Sequence, residues 1–244
     1  MWFRELHKVY TNGTLVDEEL LTDDQAGHCI SIREGSGKDE EDTFGICVLD
    51  SSTSEFNLSA FTDDVCRTKL ETMLRQLRPK EILFTKVGQS SRLVSLTADP
   101  RWQGALSVST TRLLKMILPS GCLWTGLRDV EGFDYKTTLE ELKKMYPPGE
   151  DDDMTDDVLP SSVPEAICSM LGMKAPIEAL GAMLWYLRQL NIDKDIMSMR
   201  NFNVYDPMKK GQGLVLDGQT LAHVEVRKTI CVFPYISHPR CRSS

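Results

Sequence analysis

The acidic side chains are the residues whose types and placement come nearest to a catalytic site. Five of them lie at the end of a predicted strand, on a predicted helix or just after an apolar segment: Asp50, Glu71, Asp129, Glu131 and Asp134. Two-metal nucleases gather carboxylates in this way, so one hypothesis is a metal-dependent phosphodiesterase. The competing interpretation is that Asp50 opens a turn, because serine and threonine occupy positions 51–54. With 36 acidic residues in the chain, chance groupings are common, and we favour the turn.

Motifs for nucleotide binding and for nucleophilic catalysis are missing from the sequence. There is no GxxxxGK followed by Ser or Thr, and the glycine turns GSGK at 35–38 and KKGQG at 209–213 precede no predicted helix. The four histidines, at 7, 28, 223 and 238, lie in unrelated segments, and no GxSxG is present. A Cys–His pair stays open on the sequence alone. We expect no catalytic, cofactor-binding or metal-binding residue in this chain.

Two further residue groups have both a functional and a plain interpretation. The seven cysteines occur singly, at 29, 47, 66, 122, 168, 231 and 241. Their odd number and the lack of CxxC favour free thiols, most of them buried, over disulfides. The acidic run within 149–162, which contains DDDMTDD, has no spaced ligand pattern like that of a calcium loop. We therefore expect a solvated surface loop there rather than a metal site.

Composition limits the class of protein. The chain has 244 residues, 41% hydrophobic and 26% charged, with a net charge of −8. These are globular values, and no run of eighteen apolar residues predicts a membrane helix. The first ten residues lack an apolar signal core, so we expect an intracellular protein. Such an acidic chain lacks the basic surface that grips nucleic acid strongly on its own.

The first half of the chain predicts a sheet with a helix packed on it. HCISIRE at 28–34 alternates like a half-buried strand, and 43–61 reads as two strands joined by the turn at 51–54. Apolar residues, including Val65, predict a helix over 63–78, with Thr62 or Asp63 as cap. EILFTK at 81–86 follows as the next strand. We expect an α/β fold, with a mixed sheet flanked by helices.

The second half supplies further helices. They are predicted over 106–119, over 137–147 with Thr137 or Thr138 as N-cap, and within 163–193. Extended segments are predicted at 9–14, which turns at Asn12-Gly13, and at 122–128, 201–207 and 213–226, with 193–200 as a polar link.

Taken in order, these segments resemble the MutS family of DNA mismatch-repair proteins, in its eukaryotic nuclear branch. The stretches that carry the resemblance span most of the chain: 9–34, 44–64, 77–86, 106–119, 164–206 and 213–226. The order and spacing of so many segments are far more specific than one short motif.

The resemblance implies a division of the chain. Its parts are the end of a mismatch-recognition domain (1–22), a connector domain (23–198), the start of a lever or core domain (199–226) and an unrelated tail (227–244). In the family, the connector has a ribonuclease H-like fold without a nuclease site. Residues 87–103 lack a counterpart in the family pattern, and one hypothesis is that they and the tail are unspliced intron sequence, included by a gene model but absent from the translated protein.

The resemblance also implies a function for the complete family protein. That protein binds mismatched duplex DNA as a heterodimer with a sister MutS subunit, hydrolyses ATP with Mg²⁺, meets MutL-type partners and works in the nucleus. Phe3-Arg4-Glu5 matches the family's Phe-x-Glu stacking motif, but it lies too close to residues 9–14 to take that role. We expect this chain to be a connecting module and not an enzyme. Two alternatives stay open: a ribonuclease H-like nuclease that uses Asp50, and a free-standing protein-interaction domain.

Overall fold

A six-stranded sheet forms the centre of the protein. The computed structural model describes residues 7–15, 27–35, 43–86, 106–128, 131–147, 160 and 162–206. The strands are β1 (His28–Glu34), β2 (Thr43–Asp50), β3 (Glu55–Thr62), β4 (Glu81–Lys86), β5 (Leu123–Arg128) and β6 (Asn201–Val204). Their spatial order is β5-β4-β1-β2-β3-β6. We use the term lower edge for the side of the sheet formed by the strand ends where β1 begins, and upper edge for the side where β1 ends. Neither term refers to the edge strands β5 and β6.

The sheet is mixed. β1, β2 and β3 form an antiparallel meander, in which Ile30 pairs with Val48. β4 runs parallel to β1, β5 parallel to β4, and β6 parallel to β3. Every strand except β2 therefore runs from the lower edge to the upper edge.

Helices cover both faces of the sheet. They are α1 (Thr68–Leu77), α2 (Val108–Ile117), α3 (Tyr135–Met145), α4 (Glu165–Met170), α5 (Lys174–Gln189) and α6 (Asp193–Ser198). Buried residues of α1 and α2 share one core cluster, and those of α3 to α6 share the other. Successive strand residues alternate between these clusters, as Cys29 and Ile30 do. Since both faces are covered, the central strands β1 and β2 are buried along nearly their whole length.

Helix α5 lies unusually close to the sheet and to its neighbouring helix. A Cβ atom at Gly45 of β2 would overlap the backbone of Ala175 and Pro176 at the start of α5. A Cβ atom at Gly181 would overlap the Thr138 side chain on α3. The two glycines therefore allow an approach that any side chain would block.

Most predicted elements are confirmed. The strands at 28–34, 43–50, 81–86 and 123–128 form, as do helices that overlap the predicted ranges 63–78, 106–119 and 137–147. The central mixed sheet with helices on both faces is present as expected. None of the helices in the described ranges is long and apolar enough to span a membrane.

The beginning of α1 differs from the prediction. The helix starts at Thr68, and Val65 is 80% exposed instead of lying on the buried face. The Asp63 carboxylate accepts hydrogen bonds from the amides of Lys69 (3.0 Å) and Leu70 (2.8 Å). Asp63 thus satisfies first-turn donors as predicted, but it does so from a loop that precedes the helix.

Other predictions are wrong in detail. α3 begins at Tyr135, and its cap is Asp134, whose carboxylate accepts from the Thr137 amide (2.9 Å), rather than Thr137 or Thr138. Residues 193–198 of the predicted polar link form the short helix α6. The segment at 9–14 makes a turn at Asn12 and Gly13, as expected, but forms no strand.

Several predictions fall outside the described residues. They concern the insert at 87–103, nearly all of the acidic loop at 149–162, the strand-like segment at 213–226 and the tail at 227–244. The predicted division into connector and neighbouring domains stays a prediction. β6 nevertheless lies beyond the boundary predicted at residue 198, and it hydrogen-bonds to β3 within the same sheet.

Candidate functional site

The carboxylates proposed for a nuclease have separate structural roles. Asp50 accepts hydrogen bonds from the Ser52 amide (2.9 Å) and the Ser52 hydroxyl (2.5 Å), which is the turn interpretation. Glu71 pairs with Arg75 one turn along α1, at 2.8 Å. Glu131 pairs with Arg128, at 2.5 Å. Asp134 caps α3, and Asp129 lies outside the described residues.

These carboxylates do not converge. Within the residues described by the structure, no three His, Cys, Asp or Glu side chains form a group able to hold a metal ion. Of the histidines, His28 lies 3.9 Å from Asp50 through its Nε2 atom, and His223 and His238 are not described. The four described acidic residues of this set therefore stabilise a turn, form two ion pairs and cap a helix.

The described cysteines divide into buried and exposed thiols. Cys29, Cys47 and Cys122 are buried, as expected, but Cys66 and Cys168 are exposed. Burial raises the pKa of the Cys29 and Cys47 thiols and raises the pKa of Cys122 to about 12. Because the thiolate is the reactive form, these three buried cysteines are poor nucleophiles.

The most elaborate polar arrangement surrounds Glu81, the first residue of β4, at the lower edge. Its side chain is fully buried. One carboxylate oxygen accepts hydrogen bonds from the Tyr186 hydroxyl of α5 (2.5 Å) and the Thr125 hydroxyl of β5 (3.1 Å). The other oxygen accepts from the Thr11 hydroxyl (2.5 Å). We call Glu81 and these three residues the Glu81 junction.

Three separate parts of the chain meet at the Glu81 junction. Thr11 belongs to the segment that precedes the sheet, Thr125 to the strand beside β4, and Tyr186 to the last turn of α5. Burial raises the pKa of Tyr186, and its hydrogen bond to Glu81 raises that pKa further. The phenol therefore stays protonated and remains a donor at neutral pH. A buried carboxylate held by three hydroxyl donors fixes the relative positions of these parts.

A second buried polar group lies at the upper edge of the sheet. Glu34, the last residue of β1, pairs with Arg67 just before α1, at 3.1 Å. The other oxygen of Glu34 accepts from the Ser107 amide at the start of α2, at 2.7 Å. One carboxylate thus joins the beginnings of two helices to a central strand. The Arg67 guanidinium also lies over the Phe44 ring, 5.1 Å from its centroid.

Sequence reasoning missed both buried glutamates. The available signal was weak: Glu81 opens the apolar run EILFTK, and Glu34 ends HCISIRE, both at strand ends where charge is ordinary. Both glutamates are buried because residues distant in sequence pack around them and donate hydrogen bonds to them, and the sequence alone does not reveal these partners.

The incoming and outgoing parts of the chain are both bound to this one sheet. The Val9 amide donates to the Leu190 carbonyl after α5 (3.0 Å), and Lys8 pairs with Asp195 of α6 (2.6 Å). After α6 the chain enters β6, whose Asn201 lies opposite Glu55 of β3. β6 is separated from β1 by β2 and β3, roughly 14 Å at about 4.8 Å per strand.

A six-stranded mixed sheet with helices on both faces, bound to both of its chain connections, defines an α/β domain. The family model of MutS domain II matches residues 28–200, which include all the strands from β1 to β5 and all six helices. The chain therefore belongs to the MutS family.

Known relatives agree with this assignment. The DNA mismatch repair protein MSH6 of Saccharomyces cerevisiae is 29% identical over 242 residues, which cover 91% of this chain. Human Msh6 is 25% identical over 251 residues and 91% of this chain, and human Msh3 is 23% identical over 93%. The chain spans about 17% of the length of the two MSH6 relatives and 20% of human Msh3.

Proposed function

We propose that this chain is the connector part of a MutS-type DNA mismatch-repair protein of the MSH6 kind. Its role is to transmit conformational change between a part that binds mismatched DNA and a part that hydrolyses ATP. Support comes from the match to MutS domain II and from the MSH6 relatives. The chain itself would act as a module without catalysis, in the nucleus.

The observation that carries this proposal is the attachment of both chain connections to one sheet. The segment before β1 is bound at the lower edge through Glu81 and Leu190. The segment after α6 is bound as β6, whose direction carries the chain toward the upper edge. If either connecting segment is displaced, it pulls on the whole sheet. Because the core of the sheet is closely packed, the sheet and its helices move as a unit rather than deforming.

The fold supports a further part of the proposal. We infer a ribonuclease H-like fold, in which an antiparallel β1–β2–β3 meander is extended by β4 and β5 parallel to β1. The observed order β5-β4-β1-β2-β3 agrees with this inference. The local partners of Asp50, Glu71 and Glu131 favour a ribonuclease H-like body without a nuclease site over the alternative of a metal-dependent nuclease.

Partners follow from the same assignment. We propose that the complete protein pairs with a sister MutS subunit, binds mismatched duplex DNA and meets MutL-type proteins. ATP and Mg²⁺ would be bound by the parts that lie outside this chain. The net charge of −8 agrees with DNA binding by other parts of the complete protein.

A linker insertion tests the proposal in the complete heterodimer. A short flexible Gly-Ser linker placed after Asp206 would uncouple β6 from the remainder of the complete protein without changing any residue of the sheet. We expect mismatch binding and basal ATP hydrolysis to survive. The stimulation of ATP hydrolysis by DNA should fall about tenfold, because typical coupling energies between sites correspond to 5–150-fold effects.

The matched control carries the same linker between Ser52 and Thr53, in the exposed turn between β2 and β3. This insertion lengthens the chain equally but lies on neither connection. The control should keep the stimulation by DNA. If the Asp206 insertion also keeps it, or if both insertions abolish it, the proposed relay is wrong.

A further inference from the structure

We propose that residues 7–15 form a releasable strap, whose docking on Glu81 couples the incoming chain to the turn between α5 and α6. In the docked state the strap closes the lower edge of the sheet over Glu81. In the released state it leaves that edge and loosens the α5–α6 turn. This coupling lies within the 244-residue chain itself, and hydrogen exchange tests it without the DNA and ATP assays that test the proposed relay.

The contacts of the strap form two groups. At one end, the His7 carbonyl accepts from the Asn191 side chain, Lys8 pairs with Asp195, and the Val9 amide donates to Leu190. Nearer its other end, the Thr11 hydroxyl donates to Glu81. The first residues of the strap therefore bind the α5–α6 turn and α6, and its middle binds β4.

The strap is shaped for close docking at Glu81. A turn at Asn12 and Gly13 is closed by the Thr14 amide, which donates to the Thr11 carbonyl at 3.1 Å. A Cβ atom at Gly13 would lie 2.5 Å from the Glu81 Cβ atom. Glycine is thus required for the backbone to reach the buried carboxylate, and Thr14 becomes fully buried.

Several features favour release. The strap has no strand pairing with the sheet, and its backbone makes two hydrogen bonds to the rest of the described chain, from the Val9 amide to Leu190 and from the Asn191 side chain to the His7 carbonyl. Val9 and Tyr10 pack on the core but are only partly buried. The Lys8–Asp195 pair is largely exposed, and such pairs stabilise little. Only Gly13 and Thr14 of the strap are buried, and segments with few buried residues open locally while the core stays folded.

Release leaves Glu81 able to remain in place. Thr125 and Tyr186 still donate to one of its oxygens, and water can replace Thr11 at the other. The α5–α6 turn, in contrast, loses its contacts to His7 and Val9, and α6 loses its contact to Lys8. Asn191 in that turn has a φ of 58°, the left-handed conformation that Asn often adopts at the end of a helix, and its side chain is the donor to His7. The turn is followed by α6 and then by β6. Docking of the strap therefore helps to hold the segment that leads into β6.

Amide hydrogen exchange on the whole chain, resolved by NMR, tests the inference. Under native conditions, the amides of Val9 and Thr14 should exchange by local opening, faster than amides of the central strand β2 such as Ile46. Thr11→Val removes the hydroxyl and keeps the shape of the side chain. It should accelerate exchange at Val9 and Thr14 about tenfold, within the range expected for a hydrogen bond to a charged acceptor, and leave Ile46 unchanged.

Three controls separate strap docking from general destabilisation. Thr11→Ser keeps the hydroxyl and should restore the original rates at Val9 and Thr14. Thr125→Val removes the donor on the other oxygen of Glu81 and should not accelerate exchange in the strap selectively. If Thr11→Val fails to fold, Thr11→Ala removes the same hydroxyl without requiring space and gives the same comparison.

Exchange rates at the α5–α6 turn measure the coupling between strap docking and that turn. In Thr11→Val, the amides of Asn191 and Ile192, which donate to Arg188 and Leu187, should accelerate together with Val9. Unchanged rates at Asn191 and Ile192 would refute the coupling. Strap amides that exchange only with the β1–β2 core, or that ignore Thr11→Val, would refute the strap itself.

Discussion

Tyr186→Phe removes one hydroxyl from the Glu81 junction and leaves the ring in place. The Tyr186 hydroxyl donates to the buried Glu81 carboxylate at 2.5 Å. Hydrogen bonds to charged groups contribute about 1.5–3 kcal/mol to stability. Because Thr11 and Thr125 still donate to Glu81, the carboxylate is not left without partners. We therefore expect a loss near the lower end of that range, about 1.5–2 kcal/mol.

Equilibrium unfolding of the 244-residue chain in urea measures this loss. The midpoint should fall while the slope with denaturant stays constant, since the folded and unfolded surfaces hardly change. In thermal unfolding, the same loss corresponds to a decrease in Tm of roughly 3–8 °C for a chain of this size.

Tyr135→Phe is the matched control. The Tyr135 hydroxyl donates to the neutral Leu171 carbonyl at 3.0 Å, so the chemical change is the same but the acceptor carries no charge. Its loss should be about 0.5–1.5 kcal/mol. A double variant of Tyr186→Phe with Glu81→Gln should cost less than the sum of the two single changes. If Tyr186→Phe costs no more than Tyr135→Phe, Glu81 does not act as the charged centre of the junction.

Three further predictions concern the close packing of α5, the cap of α3 and the buried thiols. Gly181→Ala should destabilise the chain by about 1–3 kcal/mol through overpacking, whereas Gly172→Ala, with no atom near its added methyl group, should have a much smaller effect in the same urea unfolding experiment. Asp134→Ala should cost about 0.5–2 kcal/mol, and Asp134→Asn, which retains an acceptor, clearly less; equal losses would contradict the capping role. Burial raises the pKa of the Cys29 and Cys47 thiols above the ordinary value of 9.0, so their contribution to stability is present below pH 9.0 and is lost as the pH rises above it. The urea midpoint should therefore fall above pH 9.0, and more gradually in a Cys47→Ala variant.

The sheet and its main helices could be predicted because they depend on local patterns. β1, β2 and β3 carry apolar and β-branched residues between clear turn signals, and α3 carries an amphipathic period. Predictions failed where a longer-range contact determined the outcome. Val65 fits the apolar period of α1, but Asp63 binds the amides of Lys69 and Leu70 and so delays the start of the helix.

The candidate site was less accessible to sequence reasoning than the fold. Glu81 gains its importance from Thr11 and Tyr186, which lie 70 and 105 residues away along the chain. No local spacing connects them. The nuclease hypothesis shows the opposite situation, since Asp50 stands out in the sequence but only binds Ser52 in a turn.

The segment at 9–14 illustrates how a local pattern can be correct in part. Asn12 and Gly13 form the predicted turn. The preceding residues have strand-like composition, yet Val9 makes only one backbone hydrogen bond to Leu190 instead of pairing with a strand. A new strand requires a neighbouring strand with free backbone hydrogen-bonding groups. Both sides of β1 are already paired, one with β2 and the other with β4.

The most direct test of the proposed relay is the rate at which the proposed heterodimer of the complete protein leaves mismatched DNA after ATP is added. Stopped-flow measurements would compare the protein with the linker after Asp206 and the protein with the same linker between Ser52 and Thr53. The relay predicts that ATP accelerates dissociation for the second protein and for the unmodified one, but about tenfold less for the first. Equal acceleration in all three proteins would contradict the central claim that this sheet carries the signal.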